Sequence, residues 1–426
     1  MIRMSKLVDF AVFSWYFFVA RLVRAMQSIL DRPGSLGVAM ISCYRDQVDV
    51  RKFGFWSIDQ TPDILSWTRY VWEGKIKGRL YMVGSLTEEI AGDKATEETQ
   101  QNACDQFKSA VCAAAKAGAE VILYAAATKR LSEIERPCGL KFKDELARDF
   151  PSVTFTLGDN FTGLLLGEQI MLAFKQIGLN PKKSRVLVIA PYGLLGGVAL
   201  HYLHSCGVEV VGLGNPKRLD LLQGLKEKFG ISVCTSFEEV GEVDMVVACN
   251  TSPSVQLTPE RVELIRRKHR KLTLIDPCEP ANMPPDFYRE CGEKVVRIDG
   301  GNAHSIALKY ILGALDYKLL RLGDGITWGC FAETFILGLY PQLRGHDWME
   351  ISPKNIGFVS DFLGEKEGQF SLTVPLCFNL AINQRSFNSH LPSGKLVSQS
   401  ISLVDARKKI TDKLKLELTS IRNFHL

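Results

Sequence analysis

Three residues carry side chains suited to covalent or proton-transfer chemistry: Cys330, Glu333 and His304. Cys330 stands in Gly329-Cys330-Phe331-Ala332-Glu333, where the polar turn Gly323-Asp324-Gly325 gives way to an apolar helix reaching Tyr340. A cysteine at a helix start has its thiolate favoured by the dipole, which makes it a candidate nucleophile. Cysteine is equally a small hydrophobe that fills cores, and position alone does not separate the two roles. Glu333 lies one turn on, as a cap, an orienting group or a base. If close and ionised, it opposes thiolate formation. His304 follows Gly300-Gly301 and reads either as a proton donor or as a structural histidine.

A second stretch, Ser184 to Arg218, has the residue types of a phosphate cradle. Arg185 to Ala190 is a β-branched apolar run, the pattern of a strand buried on both faces. Ala190-x-x-Gly193-x-x-Gly196 follows, with Leu194 and Leu195 between the glycines, then a helix over Val198 to Ser205 and a second strand, Val208 to Leu213. Glycine lets the backbone approach a pyrophosphate, and the helix start offers it N–H groups. This order is the first half of a dinucleotide-binding fold, although an alanine fills the first glycine position. A carboxylate ending the second strand accepts the ribose 2′-hydroxyl of NAD. Here Asn215, Lys217 and Arg218 supply two cations and no acid, which suits the 2′-phosphate of NADPH. A solvated basic turn is the alternative.

The elements that position these residues follow from hydrophobic periodicity. Strands are expected at Gly37 to Ser42, Arg79 to Val83, Glu120 to Tyr124 and Ser152 to Thr156, with a helix over Glu97 to Ala117. Strands alternating with helices imply a mainly parallel sheet. Gly158-Asp159-Asn160-Phe161-Thr162 opens a long helix to about Ile177 that carries Gln169 and Lys175. Its polar first turn is a cap or, with Gly158, Asn160, Thr162 and Gln169, a lining for substrate in a cleft between domains. Further strands are expected at Asp244 to Cys249, Lys271 to Ile275 and Val295 to Ile298. Asn250 and Thr251 follow the first of these, where loops face the nicotinamide and ribose.

The expected class is α/β with two domains. Residues 1–35 form an apolar or amphipathic helix and linker, 36–180 an α/β substrate domain, and 181–302 a Rossmann-type nucleotide domain. Residues 303–365 hold C-terminal helices with the Cys330 motif, and 366–426 an extension to which no chemistry is assigned. A net charge of +5 favours an acidic partner or substrate without demanding nucleic acid. Eleven cysteines, odd in number and without CxxC spacing, indicate a reducing compartment rather than a disulfide framework or a metal site. The uncharged run Phe10 to Ala20, with Arg3 and Lys6 before it and Arg21 and Arg24 after, is too short to span a bilayer. It suits peripheral contact with a membrane, or packing on protein. Arg266 to Lys271 is the densest basic run, a solvated helix end or a dock for an acidic protein.

Taken together, FGFWSID at Phe53 to Asp59, FTLGDNFTG at Phe155 to Gly163, KQIGLNPKKSRVLVIAPYGLLGG, Gly300-Gly301 with His304-Ser305, and CFAETFILG from Cys330 resemble the long-chain acyl-(acyl carrier protein) reductases of the cyanobacterial type. The likeness covers roughly residues 36 to 365. It implies a cytoplasmic enzyme that makes fatty aldehydes from acyl thioesters of acyl carrier protein or CoA with NADPH. It also implies that Cys330 carries the acyl group. The chain departs from that family at Ala190 and at Ala125-Ala126-Ala127, where the family has glycines. Two other readings stand beside it: an NADP-linked dehydrogenase of a small polar substrate using His304, and a non-catalytic NADPH- or lipid-binding protein at a membrane.

Overall fold

The computed structural model describes residues 36–45, 64–72, 76–250, 252–304, 308–310, 326–352, 355–359, 371–372, 376–377 and 380–381. The apolar run at 10–20, the FGFWSID segment, Thr251, the turn at 323–325 and the C-terminal residues 403–421 lie outside them. Among the described residues no helix is long and apolar enough to cross a membrane. The chain forms two compact units. One takes the described residues up to Gly158, with 308–310 and 334–349. The other takes 159–304, 326–333 and those from Glu350 on.

The first unit is built on five strands in chain order: β1 (Val38–Tyr44), β2 (Ile64–Trp72), β3 (Ile76–Leu86), β4 (Val121–Tyr124) and β5 (Thr154–Thr156). With Leu308–Tyr310 they form a sheet in the order Leu308–Tyr310, β2, β3, β1, β4, β5. The block from β3 to β5 is parallel, as the alternating pattern predicts. The other edge is antiparallel, because only three residues join β2 to β3 and a parallel pair needs a crossover. Every residue of β1 and β4 is buried. Helix α1 (Glu97–Lys116) is capped by Thr96, whose side chain accepts the Thr99 N–H. It buries Ala103, Phe107, Ala110, Val111 and Ala114, spaced three and four apart along one face. Phe107 stacks on Tyr124 at 4.2 Å and meets Phe142 edge-on at 5.8 Å.

The second unit begins with α2 (Asp159–Gln176), which is buried from Asp159 through Ile170. Its six-stranded sheet comprises β6 (Arg185–Ile189), β7 (Glu209–Leu213), β8 (Ser232–Cys234), β9 (Met245–Ala248), β10 (Leu272–Asp276) and β11 (Val295–Asp299). The spatial order is β11-β10-β9-β6-β7-β8, parallel throughout. Counted from β6, that is the 3-2-1-4-5-6 order of a doubly wound dinucleotide fold. Helix α3 (Leu194–Ser205) links β6 to β7, and α4 (Leu219–Phe229) follows β7. α3 starts four residues before the expected Val198, because Gly193 takes the N-cap and Gly196 and Gly197 lie inside its first turns. α2 packs on α3, where a methyl on Gly163 would meet Val198 at 3.4 Å.

The basic run 266–271 lies at the strand-start edge of this sheet. Arg266 pairs with Glu263 at 2.9 Å, and Arg267 reaches Asp244, just before β9, at 2.8 Å. Arg270 also faces Asp244, at 3.5 Å. Much of its charge is therefore matched within the unit. At the opposite, strand-end edge a small antiparallel sheet joins Asn302–His304 to Ile326–Trp328 and Ser371–Leu372.

Candidate active site

The turn after β6 has the geometry of a phosphate cradle. Ala190 adopts a left-handed backbone, φ 58°, at the position where the pattern expects glycine. Its N–H donates to Leu213 O at 2.7 Å, and its carbonyl accepts the Gly193 N–H at 3.0 Å. A methyl on Gly196 would lie 2.0 Å from Ala190 O, so only glycine lets α3 pack this close to the strand end. At Gly193 a methyl would press on Ala190 O alone, at 3.3 Å. Gly197 N–H donates to Gly193 O at 2.7 Å, which leaves the amides of Leu194, Leu195 and Gly196 at the helix start for an outside acceptor. These residues fit a dinucleotide pyrophosphate.

At the end of β7, Asn215 Oδ1 accepts the Lys217 N–H at 2.9 Å and closes a tight turn. Lys217 and Arg218 are exposed and belong to no ion pair among the described residues. At the end of β9, Asn250 Oδ1 accepts the Ser252 N–H at 2.6 Å. Sequence reasoning missed Asn282. It is fully buried, donates to Asn250 O at 2.6 Å and Val255 O at 3.1 Å, and accepts the Leu257 N–H at 3.0 Å. It holds the whole loop that follows β9.

Cys330 is the second residue of α5 (Gly329–Leu339), whose first turn, 329–333, belongs to the second unit. A hydrogen-bond path ties that turn to the strand ends. Gly300 N–H donates to Asp276 O at 3.1 Å, and Gly329 N–H donates to Gly301 O at 2.8 Å. A methyl on Gly329 would lie 2.4 Å from Gly301 O and 3.1 Å from Thr162 Oγ1. Gly301 itself is left-handed, φ 75°, with Thr162 Cγ2 2.7 Å from where its side chain would start. Thr162, Gly301 and the Cys330 turn are therefore brought together.

The remaining predicted residues take other places. Glu333 is fully buried and its Oε2 accepts the Phe161 N–H at 2.8 Å, so it caps α2. Asn160 donates from Nδ2 to Glu350 O at 3.0 Å and accepts the Ser352 N–H at 3.0 Å, holding the chain's own segment. Gln169 is buried further along α2, and Gly158 is a left-handed residue, φ 71°, that ends the first unit. His304 pairs with Ile326 and Ser371, while Asn302 pairs with Trp328. Its backbone is therefore two residues, about 7 Å, along the strand from the end that meets the Cys330 turn.

Below the site lies a buried charge cluster. Asp276, at the end of β10, pairs with Arg297 on β11 at 3.1 Å, and Arg297 also contacts Asp299. Asp276 further accepts the amides of Cys278 and Met283, each at 3.2 Å. Burial holds its carboxyl above the usual carboxylate range, and Arg297 offsets only part of that rise.

Several other cysteines have thiols held in the neutral form by burial. Burial pushes the thiols of Cys104 and Cys234 up to about 12 and raises those of Cys43, Cys249, Cys278 and Cys291. Such thiols stay protonated near neutral pH. Cys330 is half-buried at a helix start.

No protein-family model and no curated protein matches the chain. Among solved structures it is similar to L-tryptophan dehydrogenase from Nostoc punctiforme, at 11% identity over 90% of each chain, TM-score 0.39. It is also similar to the A chain of dipicolinate synthase from Bacillus subtilis, at 12% identity over 74% of this chain and 98% of that one, TM-score 0.32. A putative malic enzyme shares 15% identity over 66% of this chain and 71% of that one, TM-score 0.31. The assignment of a doubly wound fold rests on the strand order itself.

Proposed function

We propose that the chain is an NADPH-dependent oxidoreductase and, more finely, a reductase of long-chain acyl thioesters carried by acyl carrier protein or CoA. One observation carries the reading. The Cys330 turn hangs by the Gly301–Gly329 hydrogen bond from the strand-end edge of a 3-2-1-4-5-6 sheet, the edge where such folds bind ligands. The amides of Leu194, Leu195 and Gly196 hold the pyrophosphate, and Lys217 and Arg218 face the ribose 2′-phosphate. NADPH, when bound, supplies the hydride for reduction to the aldehyde.

The chain's own residues do the rest. The Cys330 thiolate attacks the acyl carbonyl, a new carbon–sulfur bond forms, and the carrier's carbon–sulfur bond breaks. The carrier thiolate leaves and takes a proton. The positive end of α5 stabilises the oxyanion formed on the way. Glu333 fixes the start of α2 against the Cys330 turn and moves no proton.

The test is aldehyde formation by the full chain with NADPH and a panel of acyl-carrier-protein and acyl-CoA thioesters. The reading expects NADPH-dependent aldehyde. Oxidation of NADPH without aldehyde from any thioester overturns it. Glu333→Gln keeps an oxygen that accepts the Phe161 N–H and should lose less than about tenfold in kcat. A loss of ~10²–10⁴ would mark Glu333 as the base instead.

A further inference from the structure

Tyr192 lies inside the glycine turn, between Ala190 and Gly193, yet its contacts are at the end of β7. Its ring packs on Gly214: a methyl there would lie 2.6 Å from Tyr192 Cε1 and 2.9 Å from Leu222 Cδ2. Its hydroxyl accepts the Asn215 N–H at 2.9 Å. In this fold the end of the second strand is where an acid reads the ribose 2′-hydroxyl. Here Gly214 fills that place, and the phenol reaches in from the neighbouring turn.

We propose that Tyr192 is a specificity-determining residue of the nucleotide site and donates its hydroxyl hydrogen to a ribose 2′-phosphate. This deepens the nucleotide-binding reading and rests on it. A hydroxyl has one hydrogen and two lone pairs. The Asn215 N–H takes a lone pair and fixes the oxygen, so the hydrogen points to the next acceptor. The turn closed by Asn215 Oδ1 puts Lys217 and Arg218 directly after it, both exposed. Asp220, exposed in the first turn of α4, is the nearest acid in the sequence, and the two cations outnumber it. A neutral donor with two cations suits a doubly charged phosphate. It lacks the acceptor that would select a sugar hydroxyl.

The experiment measures binding of 2′-phospho-ADP-ribose and of ADP-ribose to the full chain by calorimetry, with thermal unfolding as a check on folding. The unmodified chain should prefer the phosphorylated probe. Tyr192→Phe keeps the ring on Gly214 and removes the hydroxyl, taking away its donated hydrogen and leaving the exposed Asn215 N–H to water, so the preference should fall by roughly tenfold with little change in the unfolding midpoint. Lys217→Ala with Arg218→Ala should lower the same preference. An unchanged preference in Tyr192→Phe overturns the role of Tyr192 and leaves nucleotide binding standing. Tighter binding of both probes also overturns it, since the tyrosine would then obstruct the site. Failure of the unmodified chain to bind either probe overturns the nucleotide-binding reading itself.

Discussion

The ends of β4 and β6 start alike and diverge within three residues. Each buried strand runs into an alanine with a left-handed backbone, Ala126 at φ 53° and Ala190 at φ 58°. After β4 the chain enters the 3-10 stretch Ala126–Glu133 and closes on itself. Thr128 Oγ1 donates to Ala125 O at 2.6 Å, with Ile41 O 3.2 Å away, plugging the strand end. After β6 the chain goes on to Gly193, which caps an α-helix whose first amides, those of Leu194, Leu195 and Gly196, have no partner within the helix. A left-handed residue at a strand end is thus not by itself the geometry of a phosphate cradle; the glycine cap and a full helix behind it set the β6 turn apart.

Breaking the β6 side should have the larger effect. In Gly196→Ala the new methyl must push α3 away from Ala190 O, an overpacking cost of about 3 kcal/mol. Calorimetry should find NADPH binding abolished, and thermal unfolding should give a lower midpoint.

The helix behind the turn also makes its unit sensitive to acid. His201 on α3 is buried and meets Phe229 edge-on at 4.6 Å. Burial, with lesser contributions from the charges of Lys228 and His204, lowers its pKa from 6.5 to about 4. A base depressed in the folded state contributes stability that is fully present above pH 6.5 and lost as the pH falls towards 4. The loss is on the order of 3 kcal/mol and levels off below that. Urea unfolding between pH 7 and 4 should show this slope, and His201→Leu should flatten it.

The two alanines give the smallest and sharpest test. Glycine relieves the left-handed strain at either site, and its greater freedom in the unfolded chain offsets part of the gain. Ala126→Gly and Ala190→Gly should each stabilise by up to about 1 kcal/mol in thermal unfolding. Only Ala190→Gly should change the affinity for NADPH. An equal change from Ala126→Gly would erase the distinction between the two strand ends.

The β6–α3–β7 unit was legible because strands of a covered parallel sheet are continuous apolar runs punctuated by glycine. β2, in contrast, went unread: ILSWTRYVW mixes apolar and polar residues, and only its pairing with β3 and with Leu308–Tyr310 makes it a strand. β8 has three residues, too few for any periodicity. The small sheet holding His304 is set by pairing between residues more than twenty apart in the chain. In the site, glycines and a helix start marked the Ala190 and Cys330 turns separately. Their common edge depends on backbone bonds such as Gly329 to Gly301, which no local pattern reveals. Asn160 and Glu333 have the residue types of a site, yet both bond the chain's own backbone, Asn160 through both ends of its amide and Glu333 through Oε2. Tyr192 carried no signal, because its partner Asn215 lies a full helix and strand away.

The central claim is that Cys330 carries the acyl group, and intact-mass measurement of the full chain tests it most directly. The protein is incubated with a long-chain acyl thioester in the absence of NADPH. A covalent mechanism predicts one acyl group added per chain, discharged as aldehyde when NADPH follows. Cys330→Ser replaces the thiol with a group whose pKa is several units higher, so it should bind NADPH normally and gain no acyl mass. Serine at Cys112, Cys249 or Cys278 should leave the labelling intact. An unlabelled wild-type chain, or Cys330→Ser making aldehyde at the normal rate, would contradict the account.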